Sequence, residues 1–189
     1  MKAFEMSIEN LKSILEKKAA EQAKQDAFDP QKEIADYKLY TSELYAKIEL
    51  AIQELVQDNL CKTTKAPITL NEESLGAYSI ESLVISFSNE KVVIEPVGTM
   101  LIGSKGRVDM KGPRGIEKFL LIRKGVSSPS QLISVSVSVG DAKVEPKKRA
   151  PAQDIAWEWK MLPNSSNWTN FEPVNDQTIT NALMRVING

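Results

Sequence analysis

The stretch SLVISFSNEKVVIE, residues 82–95, decides how this chain reads. Leu83, Ile85 and Phe87 fall on every second position. That period places side chains on one face of a β-strand. Asn89 and Glu90 are turn residues, and Lys91 to Glu95 runs back. Two such runs joined by so short a turn read as a hairpin. Pro96–Val97–Gly98 then bends the chain, and the pattern repeats. Thr99–Ile102 and Arg107–Lys111 flank a Gly103–Ser104–Lys105–Gly106 loop. Gly112–Pro113–Arg114–Gly115 turns into a strand over Ile116–Arg123. Leu132 to Val139 alternates hydrophobe with serine, and Ile155–Leu162 carries Trp157 and Trp159 on one face. Upstream, Ile68–Leu70 reads as a short strand. No helical pattern separates these strands, so they read as an antiparallel meander. The sheet is expected to be strongly curved, with a closed, barrel-like form as its limit. After the Asn- and Pro-rich residues 163–174, Asn175 or Asp176 caps a last helix with Ile179, Ala182, Leu183 and Val186 on one stripe.

N-terminal to the sheet, the period changes to that of a helix. Ser7 is a plausible N-cap for a helix over 7–25, where Ile8, Leu11, Leu15 and Lys18 recur at three- and four-residue steps. Asp29 as cap and Pro30 as first helical residue open a second helix, expected to run to about Asn59. Its apolar seam is Ile34, Tyr37, Thr41, Leu44, Ile48, Ala51 and Leu55, a heptad spacing. Ile34, Tyr37, Leu44, Ile48 and Leu55 are the candidate association residues. Either a second copy of the chain or the chain's own sheet buries this seam. Cys61 to Pro67 reads as a polar linker. The expected organisation is an α+β protein: residues 1–62 a helical hairpin or arm, and residues 63–189 a β-rich domain with a C-terminal helix.

Composition excludes more than it assigns. A chain of 189 residues is long enough to bury a real core. It has no histidine, which removes Ser-His-Asp and Cys-His catalysis and the common zinc sites. The single cysteine, Cys61, cannot form an internal disulfide, which suits a reducing compartment. Met1 to Asn10 has no secretory pattern, and no apolar run approaches the roughly 20 residues of a membrane span. A cytoplasmic location is therefore expected, with no membrane partner and no cofactor. Net charge is −1, but it is unevenly placed. Residues 1–60 hold 8 Lys/Arg against 12 Asp/Glu, whereas residues 101–150 hold 11 against 4.

That basic stretch supplies the main candidate surface: Lys105, Arg107, Lys111, Arg114, Lys118, Arg123 and Lys124, then Lys143, Lys147, Lys148 and Arg149. Adjacent turns could bring several together, and clustered cations attract phosphate backbones through counterion release. The same charges also suit a solvated sheet face, or a complement to the acidic helices. Within this stretch, Gly103–Ser104–Lys105–Gly106 resembles the Gly-x-x-Gly loop of KH domains. That loop must lead into a helix, and Gly112–Pro113 forbids one here. Glu95 with Asp109–Met110–Lys111 resembles the PD-(D/E)xK nuclease core, which would imply two carboxylates holding magnesium and a lysine steadying the attacking water. Alternating charges on an exposed strand produce the same letters. Trp157, Trp159, Trp168 and Phe171 offer either a stacking platform or core.

The functional expectation is a non-enzymatic binding or assembly module. Its helices would serve self-association or docking, and its basic hairpins a protein partner. Nucleic-acid binding is the alternative, with a metal-dependent nuclease as its narrower form.

Overall fold

The structure is a computed structural model and describes residues 10–18, 28–99, 103–132, 156–162 and 170–189. Four helices and seven strands make up the described chain. Residues 10–18 form helix α1, exposed along its whole length. Helix α2, Pro30–Ala51, starts as its sequence dictates: the Asp29 carboxylate accepts from the N–H groups of Gln31 (3.0 Å) and Lys32 (3.2 Å). Helix α3 is Gln53–Gln57, and α4 is Asp176–Asn188. The strands are β1 Cys61–Glu72, β2 Gly76–Phe87, β3 Glu90–Gly98, β4 Ser104–Gly112, β5 Gly115–Arg123, β6 Trp157–Met161 and β7 Glu172–Pro173. No helix among the described residues is long and apolar enough to cross a membrane.

The long second helix is shorter than its periodicity predicts. At Ile52 the backbone leaves helical geometry (φ −108°, ψ 10°), and α3 adds only one more turn. It ends in a Schellman motif: Leu60 N–H donates to the Leu55 carbonyl (2.9 Å) and Asn59 N–H to the Val56 carbonyl (3.1 Å). Asn59 takes the left-handed conformation this requires, with φ 58°. Residues 61–67, expected as a linker, are instead the first half of β1, which extends well beyond Ile68–Leu70. The expected strand over 132–139 is seen only at Leu132, which ends a short 3-10 turn from Pro129; the remainder lies outside the described residues.

The strands pair strictly in sequence order, β1 to β7, all antiparallel. The sheet is open, with β1 and β7 at its two edges, so the barrel-like expectation is corrected. Twelve residues of β1 pair with twelve of β2, but only Leu83–Phe87 of β2 continues into β3. The outer half of the β1–β2 ribbon is thus free of the main sheet. At Ser82–Leu83 two consecutive residues are buried, and the buried set switches from Tyr78 and Ile80 to Leu83 and Ile85. The ribbon turns there and folds over α2, where the Tyr45 hydroxyl donates to the Glu81 carbonyl (2.7 Å).

One hydrophobic core results, with α2 and α4 on the same side of the sheet. Ile34, Tyr37, Leu44 and Ile48 pack among Leu83, Ile94, Val108 and Phe119. The expected C-terminal stripe of Ile179, Ala182, Leu183 and Val186 is buried there too, and Asn175 and Thr178 form a capping box at its start. Two glycines on β4 make this close approach feasible. A Cβ on Gly106 would stand 2.5 Å from Cε2 of Tyr37, and one on Gly112 would collide with the Val186 carbonyl of α4.

Candidate functional site

Strand β4 sorts its side chains by alternation. Gly106, Val108, Met110 and Gly112 face the helices, while Arg107, Asp109 and Lys111 face away. On that outer face the cations are interleaved with carboxylates. Arg107 grips Asp109 with two parallel bonds, Nε to Oδ1 at 2.7 Å and Nη2 to Oδ2 at 2.8 Å. Lys111 reaches across to Glu95 at 2.8 Å. Lys118 stands directly opposite Asp109 on β5, and Lys160 lies 3.4 Å from Glu158. Neighbouring strands therefore present four cations among three anions. A run that is strongly basic in sequence becomes a mixed-charge face.

Lys105 goes the other way. A bulge between Ser104 and Gly106 turns it toward α2, where its Nζ lies 2.7 Å from Asp36 and 3.6 Å from Glu33, above the Trp157 ring. Burial pulls its pKa down, but the Asp36 hydrogen bond and the fields of Glu33 and Asp36 outweigh that and leave it raised. This is the complement between acidic helix and basic sheet that the charge partition allows. Arg114, at the exposed β4–β5 turn, and Lys118 have no carboxylate within 4.0 Å among the described residues. Lys147, Lys148 and Arg149 lie outside the described residues.

The nuclease letters do converge. Glu95 and Asp109 are register partners on β3 and β4. Each already faces a cation, Lys111 and Arg107 respectively, and Asp109 is buried. No group of three or more carboxylates or thiols among the described residues could hold a metal ion. Cys61 is buried at the start of β1, and burial pushes its thiol pKa up, away from the reactive thiolate.

The aromatic candidates are mostly framework. Trp159 is buried and its Nε1 donates to the Tyr40 carbonyl (2.8 Å); Trp157 is half-buried beneath Lys105. Phe171 is buried, and Trp168 lies outside the described residues. The proposed association seam is likewise used inside the chain. Ile34, Tyr37, Leu44 and Ile48 are buried against the chain's own sheet, and of the five only Leu55 remains exposed. A second copy cannot reach these four without opening the core.

Two further features emerge that sequence reasoning did not single out. The carboxylate of Glu72, at the end of β1, accepts from the Tyr78 hydroxyl on one oxygen and from the N–H (2.8 Å) and hydroxyl (3.0 Å) of Thr99 on the other. It ties the folded-over ribbon to the end of β3. Separately, an apolar groove of about 370 Å³ opens where α3 meets α4, lined by Ala51, Ile52, Leu55, Phe87, Met184 and Ile187. Leu50, Val56 and Leu60, in the same stretch of chain, are also exposed. The signal available was the heptad seam running past Ile52, whose last member, Leu55, lines this groove.

A cleft of about 270 Å³ with a mixed polar and apolar lining lies between α2 and the ribbon, among Lys38, Thr41, Tyr45, Lys65, Ile80 and Glu81. It offers two ammonium groups and several hydroxyls to a solute. No family model, no curated protein and no solved structure matches this chain.

Proposed function

We propose that the chain is a non-enzymatic assembly module that associates through α1. The observation that carries this reading is the exposure of its apolar stripe. Leu11, Ile14 and Leu15 are 55%, 52% and 56% exposed on a helix whose described residues, 10–18, are all exposed. A helix in water gains most of its stability from packing an apolar face. Among the described residues, nothing covers the apolar stripe of α1. The interleaved charges of the outer sheet face, by contrast, do not make a single-sign surface, so the partner role falls to the arm.

The energetics call for weak, reversible association. Burying what remains exposed of Leu11, Ile14 and Leu15 contributes roughly 1–1.5 kcal/mol each, with a similar amount from the receiving surface. Association costs about 4–15 kcal/mol in lost freedom. Sedimentation equilibrium from about 10 to 500 µM, the range where such contacts register, tests the reading. The full chain should gain mass with concentration, and Leu11→Asp/Leu15→Asp should remain a monomer with unchanged thermal stability. Equal masses for the two proteins at every concentration would overturn the proposal.

A further inference from the structure

We infer that the receiving surface is the α3–α4 groove of a second copy, so that two chains exchange their α1 helices. The inference rests on the reading of α1 as the associating element and adds the place where it lands. Three observations converge on it.

Helix α1 matches the groove in apolar character. Its stripe of Leu11, Ile14 and Leu15 would face Leu55, Phe87, Met184 and Ile187, and of these Met184 is more than half exposed.

The charges oppose. Helix α1 carries Lys12, Lys17 and Lys18 against Glu16 alone. Residues 43–58, the second half of α2 with α3 and its cap, carry Glu43, Glu49, Glu54 and Asp58 against Lys47 alone. Glu54 lines the groove itself. Opposite charge of this kind at the rim steers encounter and fixes orientation.

Reach favours a second copy. The groove is at the C-terminal end of α2, and α1 is joined to its N-terminal end. Helix α2 has 22 residues, so the ends are about 33 Å apart. The twelve steps from Lys18 to Pro30 span at most about 40 Å when fully drawn out. Docking in the same chain would demand a nearly straight connecting segment. A two-fold exchange has no such demand, and its two equivalent contacts share one association cost.

The test is complementation between two defective full-length chains. One carries Leu11→Asp/Leu15→Asp, which spoils the helix; the other carries Leu55→Asp/Met184→Asp, which spoils the groove. Both pairs are exposed enough for folding to survive, and circular dichroism checks that it does. Each variant alone should associate at least about tenfold more weakly than the parent. Mixed at equal amounts, they should form a 1:1 heterodimer by native mass spectrometry, because the mixture restores one intact helix and one intact groove. A groove variant that self-associates as well as the parent would overturn the exchange while leaving α1 as the associating element. A parent chain that is monomeric throughout would overturn both.

Discussion

At Tyr37 a single side chain joins the helix layer to an irregularity in the sheet. Its hydroxyl donates to the Arg107 carbonyl (2.5 Å) and accepts from the Gly98 N–H (3.3 Å), where the β3–β4 register slips. The ring fits only because position 106 is glycine. Gly106→Ala should therefore cost about 1–3 kcal/mol, the usual price of overpacking, read as a lower urea midpoint. Tyr37→Phe should cost a similar amount by leaving a buried amide and carbonyl unpaired. Three tyrosines also set the alkaline limit of the fold. Burial raises the pKa of Tyr37, Tyr45 and Tyr78 well above 10.0, assisted at Tyr78 by the hydrogen bond to Glu72. Below pH 10 all three hold their protons in both folded and unfolded chains, so they leave stability unchanged. Above it only the unfolded chain releases them, and each then removes about 1.4 kcal/mol per pH unit. Urea midpoints should fall gently from about pH 9, where only the unfolded chain releases the Cys61 thiol, and steeply above about pH 10. An even decline starting near pH 8 would contradict this.

The elements show which signals were legible and which were not. Turn residues and period-two alternation reveal the meander from β2 to β5, because each strand there pairs with its sequence neighbour across a short turn. The capped α4 is legible for the same local reason. Strand β1 is not: Cys61 to Pro67 is polar because this is an edge strand, much of it open to water, and Pro67 is tolerated only at an edge. The break at Ile52 is hidden because an apolar residue there prolongs the heptad. What stops the helix is a motif seven residues later, centred on Asn59 at φ 58°. Asn59→Gly should be neutral or slightly stabilising, and Asn59→Val should cost roughly 1–2 kcal/mol, since a β-branched residue resists that conformation. Thermal melts of the two variants decide it. The basic run is visible as composition, but its neutralisation depends on pairs such as Lys105 with Asp36, sixty-nine residues apart, which no local pattern encodes.

For the whole molecule, the charge distribution makes a prediction of its own. Among the described residues Arg107, Lys111 and Lys160 face carboxylates, so the outer sheet face offers fewer unpaired cations to a phosphate backbone than its composition suggests. Fluorescence anisotropy with labelled DNA or RNA should show weak binding whose affinity changes little between about 50 and 200 mM salt. A steep salt dependence, lost when Lys105, Arg107 and Lys111 are neutralised, would restore the nucleic-acid reading. The pairing of α2 with distant strands also bears on how the chain is made. On the ribosome α2 emerges before every strand that covers it. Its tyrosine at position 37 meets Arg107 only seventy residues later, about 4–14 s of synthesis at ordinary elongation rates. Over that interval the apolar flank of α2 is bare, and the nascent polypeptide must either hold it in a transient collapsed state or hand it to a chaperone until β4 arrives.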